Sequence, residues 1–425
     1  MKEIADEPSG TRRIRRKAVR DVSELWPQGV MPYELHPDLP LSMKTTVMAA
    51  MKHWEDNTCI EFREYSPEVA EELGHHDRVL FRKGDGCTSN IGRNGDGVQE
   101  TSIGTNCNIL GSVAHEIGHS LGYYHEQSRP DRDEHVTINF ANVAPSMKAN
   151  FLKYGYDHVR TDEPYDVGSI MHYGPTFLSR DGQSETISPK QRALTGFMGQ
   201  RKALSFLDIK TANELYQCNA HCSVKPICLN AGFVNERCRC SCPFGVSGKL
   251  CETVASSSTG CGGVLKESSG IFRTRNYPRD YGDRVVCNWL IEGPKNSNIT
   301  LEFDHFETEA DNYAPCGYDW LEIRNKGPEV PGLKFCGTGP EGPLHFTTNL
   351  LFLQFRSDEF YNEFSGFQAR YKIESPPDYI WADFSDWSPC SARCGGGSQI
   401  RKRDCLKGHC EGMKFEFRRC NIQPC

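Results

Sequence analysis

Apolar and polar positions follow two different periods along this chain, and the change of period divides it. In SMKTTVMAAMKHWEDNT, Met43, Val47, Met51 and Trp54 recur three and four apart, which sets them on one face of a helix. Ahead of it LWPQGVMPYEL reads as a turn leading into a strand, and DRVLFRKG carries the apolar run of another. From residue 261 the period shortens to two. NITLEFDHFE, LHFTTNLLFLQF and GFQARYKI alternate as the strands of an antiparallel β-sandwich do. Residues 219–252 and 381–425 hold six cysteines each and have too little apolar content to fold without cross-links.

These shifts predict a domain at 17–218, a small module at 219–252, a linker at 253–260 (TVASSSTG), a β-domain at 261–373, a proline-stiffened linker at 374–380 (ESPPDYI) and a final module at 381–425. Residues 1–16 end in RRIRR, a dibasic run that fits Arg-X-Arg-Arg before a processing cut after Arg16.

Composition narrows the setting. The net charge of −7 gives no electrostatic case for nucleic acid, and no apolar run is long enough to span a membrane. The twenty cysteines fall into local groups of four, six, four and six, as disulfides do when each domain closes its own. An extracellular protein is expected. MKEIADEPSG has no apolar core of a signal peptide, so a truncated or mis-started precursor is expected as well.

One stretch obeys neither period. VAHEIGHSLGYYHEQSRPDRD (113–133) places histidines and glutamates close together and puts glycines where a helix should have none. His115 and His119 are four apart, so both imidazoles leave one helix face at a spacing that suits two nitrogens on one Zn²⁺. Glu116 sits beside the metal, where it can take a proton from the attacking water and pass it to the leaving amine. Gly122 stops the helix and turns the chain, so that His125 reaches the metal from another direction. Three imidazoles leave an open coordination position, the mark of a catalytic zinc. A helix with scattered histidines would rarely satisfy all these positions at once.

HEIGHSLGYYHEQSRPDRD, followed by SIMHYG (169–174), resembles the astacin family of metzincin endopeptidases over about residues 17–218. The resemblance implies an α+β catalytic domain with one zinc on His115, His119 and His125, Glu116 as general base, and Met171 in a tight turn beneath the metal. It makes Tyr173 a further zinc ligand that swings off and donates to the tetrahedral oxyanion. It assigns Glu126 to the new N-terminal amine after propeptide removal, which places the mature start at Lys17. The family favours acidic P1′ residues, and Arg180 is the basic residue named for that subsite. The implied bridges are Cys59–Cys218 and Cys87–Cys107. The latency segment of the family, with its zinc-capping Asp, does not fit into residues 1–16.

The smaller units have resemblances too. CRCSCPFGVSGKLCE looks like the end of an EGF module, which implies Cys222–Cys238, Cys228–Cys240 and Cys242–Cys251 and gives no sign of a calcium ion there. Residues 261–373 resemble a CUB domain, which implies Cys261–Cys287 and Cys316–Cys336 and gathers Glu309, Asp319 and Asp358 as a Ca²⁺ site. Asn298-Ile-Thr300 is an N-glycosylation acceptor. WADFSDWSPCSARCGGGSQIRKRDC resembles a thrombospondin type 1 repeat. That implies Cys390–Cys420, Cys394–Cys425 and Cys405–Cys410, with Arg401 and Arg403 layered between Trp381 and Trp387. Arg393 stands at the Ser/Thr position of the fucosylation motif, so no fucose is expected there.

The expected protein is a secreted zinc endopeptidase acting on extracellular matrix or cuticle proteins, collagens among them, as the multidomain nematode astacins imply. CUB and thrombospondin units would contact matrix components or glycosaminoglycans, the latter through Arg401, Lys402, Arg403, Lys407 and Lys414. Two other readings stand beside it. One is an inert matrix-binding scaffold, whose mark would be a lost ligand or base. The other is tolloid-like processing of precursors and growth-factor antagonists, usually accompanied by more CUB units.

Overall fold

The computed structural model describes residues 18–19, 21–156, 163–255, 260–310, 316–360, 363–374, 380–408 and 413–423. Arg16, Lys17, Cys410 and Cys425 lie outside them, and so do the calls that rest on those residues.

The first domain opens with strand β1 (Val30–Leu35), which follows the turn at Pro27–Gly29, and helix α1 (Leu41–Glu55). Strand β2 (Glu61–Glu64), helix α2 (Pro67–Leu73), and strands β3 (Arg78–Lys83) and β4 (Val98–Ile103) complete a parallel sheet of order β2-β1-β3-β4. Helix α3 (Leu110–Ser120) packs on α1. The apolar face of α1 buries Met43, Val47, Met51 and Trp54, joined by Ala50. Trp54 is fully buried and its indole N–H donates to Ala114 O at 3.1 Å, which ties α1 to α3. The paired strands β5 (Val136–Ile138) and β6 (Ile187–Pro189) lead to α4 (Phe206–Leu215). The Cys59–Cys218 bridge spans 159 residues and clamps the two ends of this domain, and Cys87–Cys107 closes a shorter loop.

The six-cysteine module is two ribbons, β7 (Phe233–Val234) with β8 (Cys240–Ser241) and β9 (Val246–Ser247) with β10 (Thr253–Val254), held by Cys222–Cys238, Cys228–Cys240 and Cys242–Cys251. The next domain comprises β11 (Gly263–Leu265), β12 (Ser269–Arg273), β13 (Val286–Glu292), β14 (Asn298–Glu307), β15 (Trp320–Arg324), β16 (Leu333–Phe335), β17 (Leu344–Phe346), β18 (Leu350–Arg356) and β19 (Gly366–Glu374). A five-stranded sheet, β11-β13-β18-β15-β16, faces a four-stranded one, β12-β19-β14-β17, across a core of Trp289, Phe355 and Phe367. The run LHFTTNLLFLQF serves both sheets: β17 lies in one and β18 in the other. Thr348 makes the crossing, its hydroxyl accepting from Leu350 N–H at 3.3 Å.

The last module pairs β20 (Ile380–Trp381) with β22 (Cys405–Lys407) and β21 (Gly397–Lys402) with β23 (Phe415–Cys420). The remaining bridges among the described residues are Cys261–Cys287, Cys316–Cys336 and Cys390–Cys420. Cys394–Cys425 and Cys405–Cys410 each reach a residue outside that set.

Candidate metal centre and active site

Helix α3 ends at Ser120, and Gly122 takes a φ of +99° that reverses the chain. The reversal brings His125 back over the helix. His125 Nε2 lies 3.2 Å from His115 Nε2 and 3.1 Å from His119 Nε2. The other ring nitrogens of the helix pair face backbone carbonyls: His115 Nδ1 is 2.7 Å from Ile170 O, and His119 Nδ1 is 2.8 Å from Tyr123 O. A proton on each Nδ1 leaves the Nε2 lone pairs aimed at one point. Burial holds the imidazoles neutral, driving His119 down to about 4 and His115 and His125 well below the ordinary value. The donor set fits Zn²⁺, whose bonds of about 2.0–2.1 Å to imidazole at a tetrahedral angle put the donors about 3.3 Å apart.

Glu116 is buried beside the cluster, and desolvation pushes its carboxyl up to about 7 against the opposing pull of Arg201. A group poised near neutrality can both accept and return a proton. Tyr173 is 5% exposed, with its ring centroid 4.5 Å from that of His125; burial and the nearby Glu116 push its phenol up to about 12. It therefore keeps its proton and stays a hydrogen-bond donor.

The glycines have steric causes. A Cβ on Gly118 would meet Met171 Sδ at 2.8 Å, so the turn residue lies directly against the helix. A Cβ on Gly111 would stand 2.0 Å from Arg201 O, so the first turn of α3 lies on the backbone of residue 201. The turn itself is pinned by Asp208, whose carboxylate accepts from Ser169 Oγ at 2.6 Å and from the N–H groups of Ile170 and Ser205 at 2.9 Å. Ser205 and Asp208 also form the capping box of α4, so one carboxylate starts a helix and anchors the turn.

Two of these residues carry no sequence signal of their own. Along the chain Asp208 is an acid in the first turn of a helix like many others. Arg201 sits in a polar stretch, yet it is half-buried, its guanidinium donates to His172 O at 3.3 Å, and its charge acts on Glu116 and Tyr173. Arg180, the residue named for the basic subsite, is exposed, with its backbone N–H on Asn142 O at 2.9 Å. The cation acting on the cluster is Arg201.

Glu126 is fully buried; its Oε1 accepts from Arg129 Nη1 and from Asp166 N–H, both at 2.9 Å. Ala18, also fully buried, bridges to Tyr123, and Val19 N–H donates to Gly122 O at 2.9 Å. The first described residues thus pass alongside the turn at Gly122 that leads to His125.

Comparison with known proteins gives the family. The model of the Astacin peptidase family matches residues 18–217, that for the CUB domain 261–371, and that for the Thrombospondin type 1 domain 382–425. Zinc metalloproteinase nas-36 of Caenorhabditis elegans is 34% identical across 98% of this chain and 70% of its own length. The chain belongs to the astacin family. Blastula protease 10 of Paracentrotus lividus is 38% identical over 87% of this astacin, which spans 62% of that relative's length. High choriolytic enzyme 1, a hatching enzyme zinc-protease from Oryzias latipes, superposes with a TM-score of 0.42 at 33% identity, covering 47% of this chain and 98% of its own.

The astacin's CUB domain gathers Glu309, Asp319 and Asp358, each offering a carboxylate oxygen within 4.8 Å of the others. Asp319 is fully buried; it accepts from the Tyr281 hydroxyl and from Asp358 N–H, the latter at 2.8 Å. Burial pushes its carboxyl up, and the nearby Asp358 and Asp283 push it further. Asn298 is exposed at the start of β14. In the thrombospondin domain the guanidiniums of Arg403 and Arg401 both stack on Phe384, 4.6 and 4.8 Å from its centroid. Arg403 also lies over Trp381 at 4.5 Å and Arg401 over Trp387 at 4.7 Å, and Arg418 adds a third guanidinium over Trp387 at 4.4 Å. Phe384 and Arg418 are layers that the spacing of tryptophans and arginines did not reveal.

Proposed function

We propose that this protein is a secreted zinc endopeptidase that hydrolyses peptide bonds in extracellular proteins. The observation that carries the reading is the convergence of three imidazole Nε2 atoms beside a buried carboxyl. His115, His119 and His125 would hold the metal, which when bound activates water and polarises the scissile carbonyl as a Lewis acid. Glu116 takes the proton released as water attacks and delivers it to the leaving amine. Tyr173 donates a hydrogen bond from its hydroxyl to the developing oxyanion. Arg201 supplies positive charge beside Glu116, which favours a substrate with an acidic side chain just past the cut.

The same reading covers maturation and the tail. Cleavage after Arg16 would free Lys17, with Glu126 receiving the new amine. Glu309, Asp319 and Asp358 would hold Ca²⁺, since clustered carboxylates with one fully buried are costly without a cation. Asn298 would carry a glycan. The CUB and thrombospondin domains would select matrix or cuticle proteins, collagens among them, and polyanions through the exposed basic residues of the last domain. The intact ligand set argues against an inert scaffold.

The test is hydrolysis of a quenched-fluorescence peptide library by the chain beginning at Lys17, with and without a zinc chelator. Turnover that the chelator abolishes and Zn²⁺ restores is expected. No turnover by zinc-loaded, correctly bridged protein would overturn the reading.

A further inference from the structure

Among the described residues, two contacts between the peptidase and CUB domains lie just upstream of site residues. Pro331 Cγ stands 3.3 Å from where a Cβ of Gly168 would be, and Gly168 is three residues before Met171. Lys334 Nζ lies 3.9 Å from the centre of its own domain's Trp320 ring and 5.1 Å from that of Phe197 in the peptidase, four residues before Arg201. Strand β16, which carries Lys334, packs on the turn Arg192–Phe197. Glu329, from the same β15–β16 connection, is charge-coupled to Lys210 and Glu163 of the peptidase, which pair with each other at 2.9 Å. A cleft of about 690 Å³ remains between the domains, lined by Gly168, Phe197, Gln200, Glu329, Pro331 and Lys334.

We propose that the CUB domain braces the peptidase's substrate wall, with Pro331 and Lys334 holding the backbone that leads into the Met171–Tyr173 turn and into Arg201. Domains in one chain move freely unless an interface restrains them. Here the ammonium of Lys334 is shared between an aromatic ring of each domain, an arrangement that weakens as soon as the rings part. Pro331 abuts a glycine that has no side chain to yield. The two braced segments are the ones that place the oxyanion donor and the half-buried cation, so Lys334 and Pro331 act as positioning residues. The inference rests on the peptidase reading of that site, and its test includes a readout that does not.

The experiment uses the full chain, zinc-loaded, as wild type, Lys334→Ala, Lys334→Arg, Pro331→Gly and a control, Lys372→Ala, on the other sheet. Amide hydrogen exchange is followed over residues 163–174 and 192–201, and kcat and KM are measured on peptides with acidic or apolar residues after the cut. Faster exchange in both segments is expected for Lys334→Ala and Pro331→Gly, with a preference for the acidic peptide lowered about threefold or more. Lys334→Arg should restore both, and Lys372→Ala should alter neither. Unchanged exchange and preference in both Lys334→Ala and Pro331→Gly would overturn the brace and leave the domains merely tethered. Should wild type hydrolyse nothing, the peptidase reading fails and the exchange data alone decide the brace.

Discussion

Gly118 of helix α3 and Met171 of the turn beneath it are in contact: a Cβ on the glycine would come within 2.8 Å of the methionine sulfur. The helix can approach the turn this closely only without a side chain at 118, and the approach sets Ile170 O against His115 Nδ1 at 2.7 Å. Gly118→Ala should therefore push helix and turn apart despite its better helix propensity, costing about 1–3 kcal/mol. The expected result is a lower Tm together with weaker zinc retention in dialysis. A variant of unchanged Tm and zinc content would show that the sulfur simply moves aside.

Glu116→Gln removes the proton acceptor and keeps the size of the side chain. Hydrolysis should fall by about 10²–10⁴-fold, while zinc content by elemental analysis stays at one per chain. Loss of zinc alongside activity would instead make Glu116 part of the metal's support.

Arg201→Gln removes the half-buried cation that acts on Glu116 and Tyr173. Preference for acidic over apolar residues after the cut should drop by about ten- to a hundredfold, the range of a hydrogen bond to a charged group. Arg180→Gln should leave that preference intact, because the charge acting on Glu116 and Tyr173 is that of Arg201 and not of Arg180. The opposite outcome in a peptide-competition assay would return the subsite to Arg180.

Calcium should stabilise the CUB domain, by about 2.7 kcal/mol at a hundredfold excess over Kd. Asp319→Asn should abolish the calcium-dependent rise in Tm, since Asp319 is the fully buried member of the cluster. Equal Tm values with calcium and with a chelator in wild type would rule out the site.

Much of the architecture was legible because the signals are local. A period of two marked β14 over the same ten residues that form it, and intervals of three and four marked the buried face of α1. His115, Glu116 and His119 are legible for the same reason, since helix geometry alone relates them. The spacing of Cys residues and the Arg/Trp rhythm of the last domain are local signals too.

What the sequence by itself determined is this set of short-range relationships, together with Gly122 as the point where the chain turns. Only the tertiary structure decided which distant residues complete the centre. Asp208 reaches back to Ser169 and Ile170, Arg201 lies against Gly111, and Pro331 of another domain meets Gly168. Nothing local distinguishes Arg201 from Arg180, because both are arginines in polar loops. Burial separates them, and burial is a property of the packed chain rather than of any segment of it.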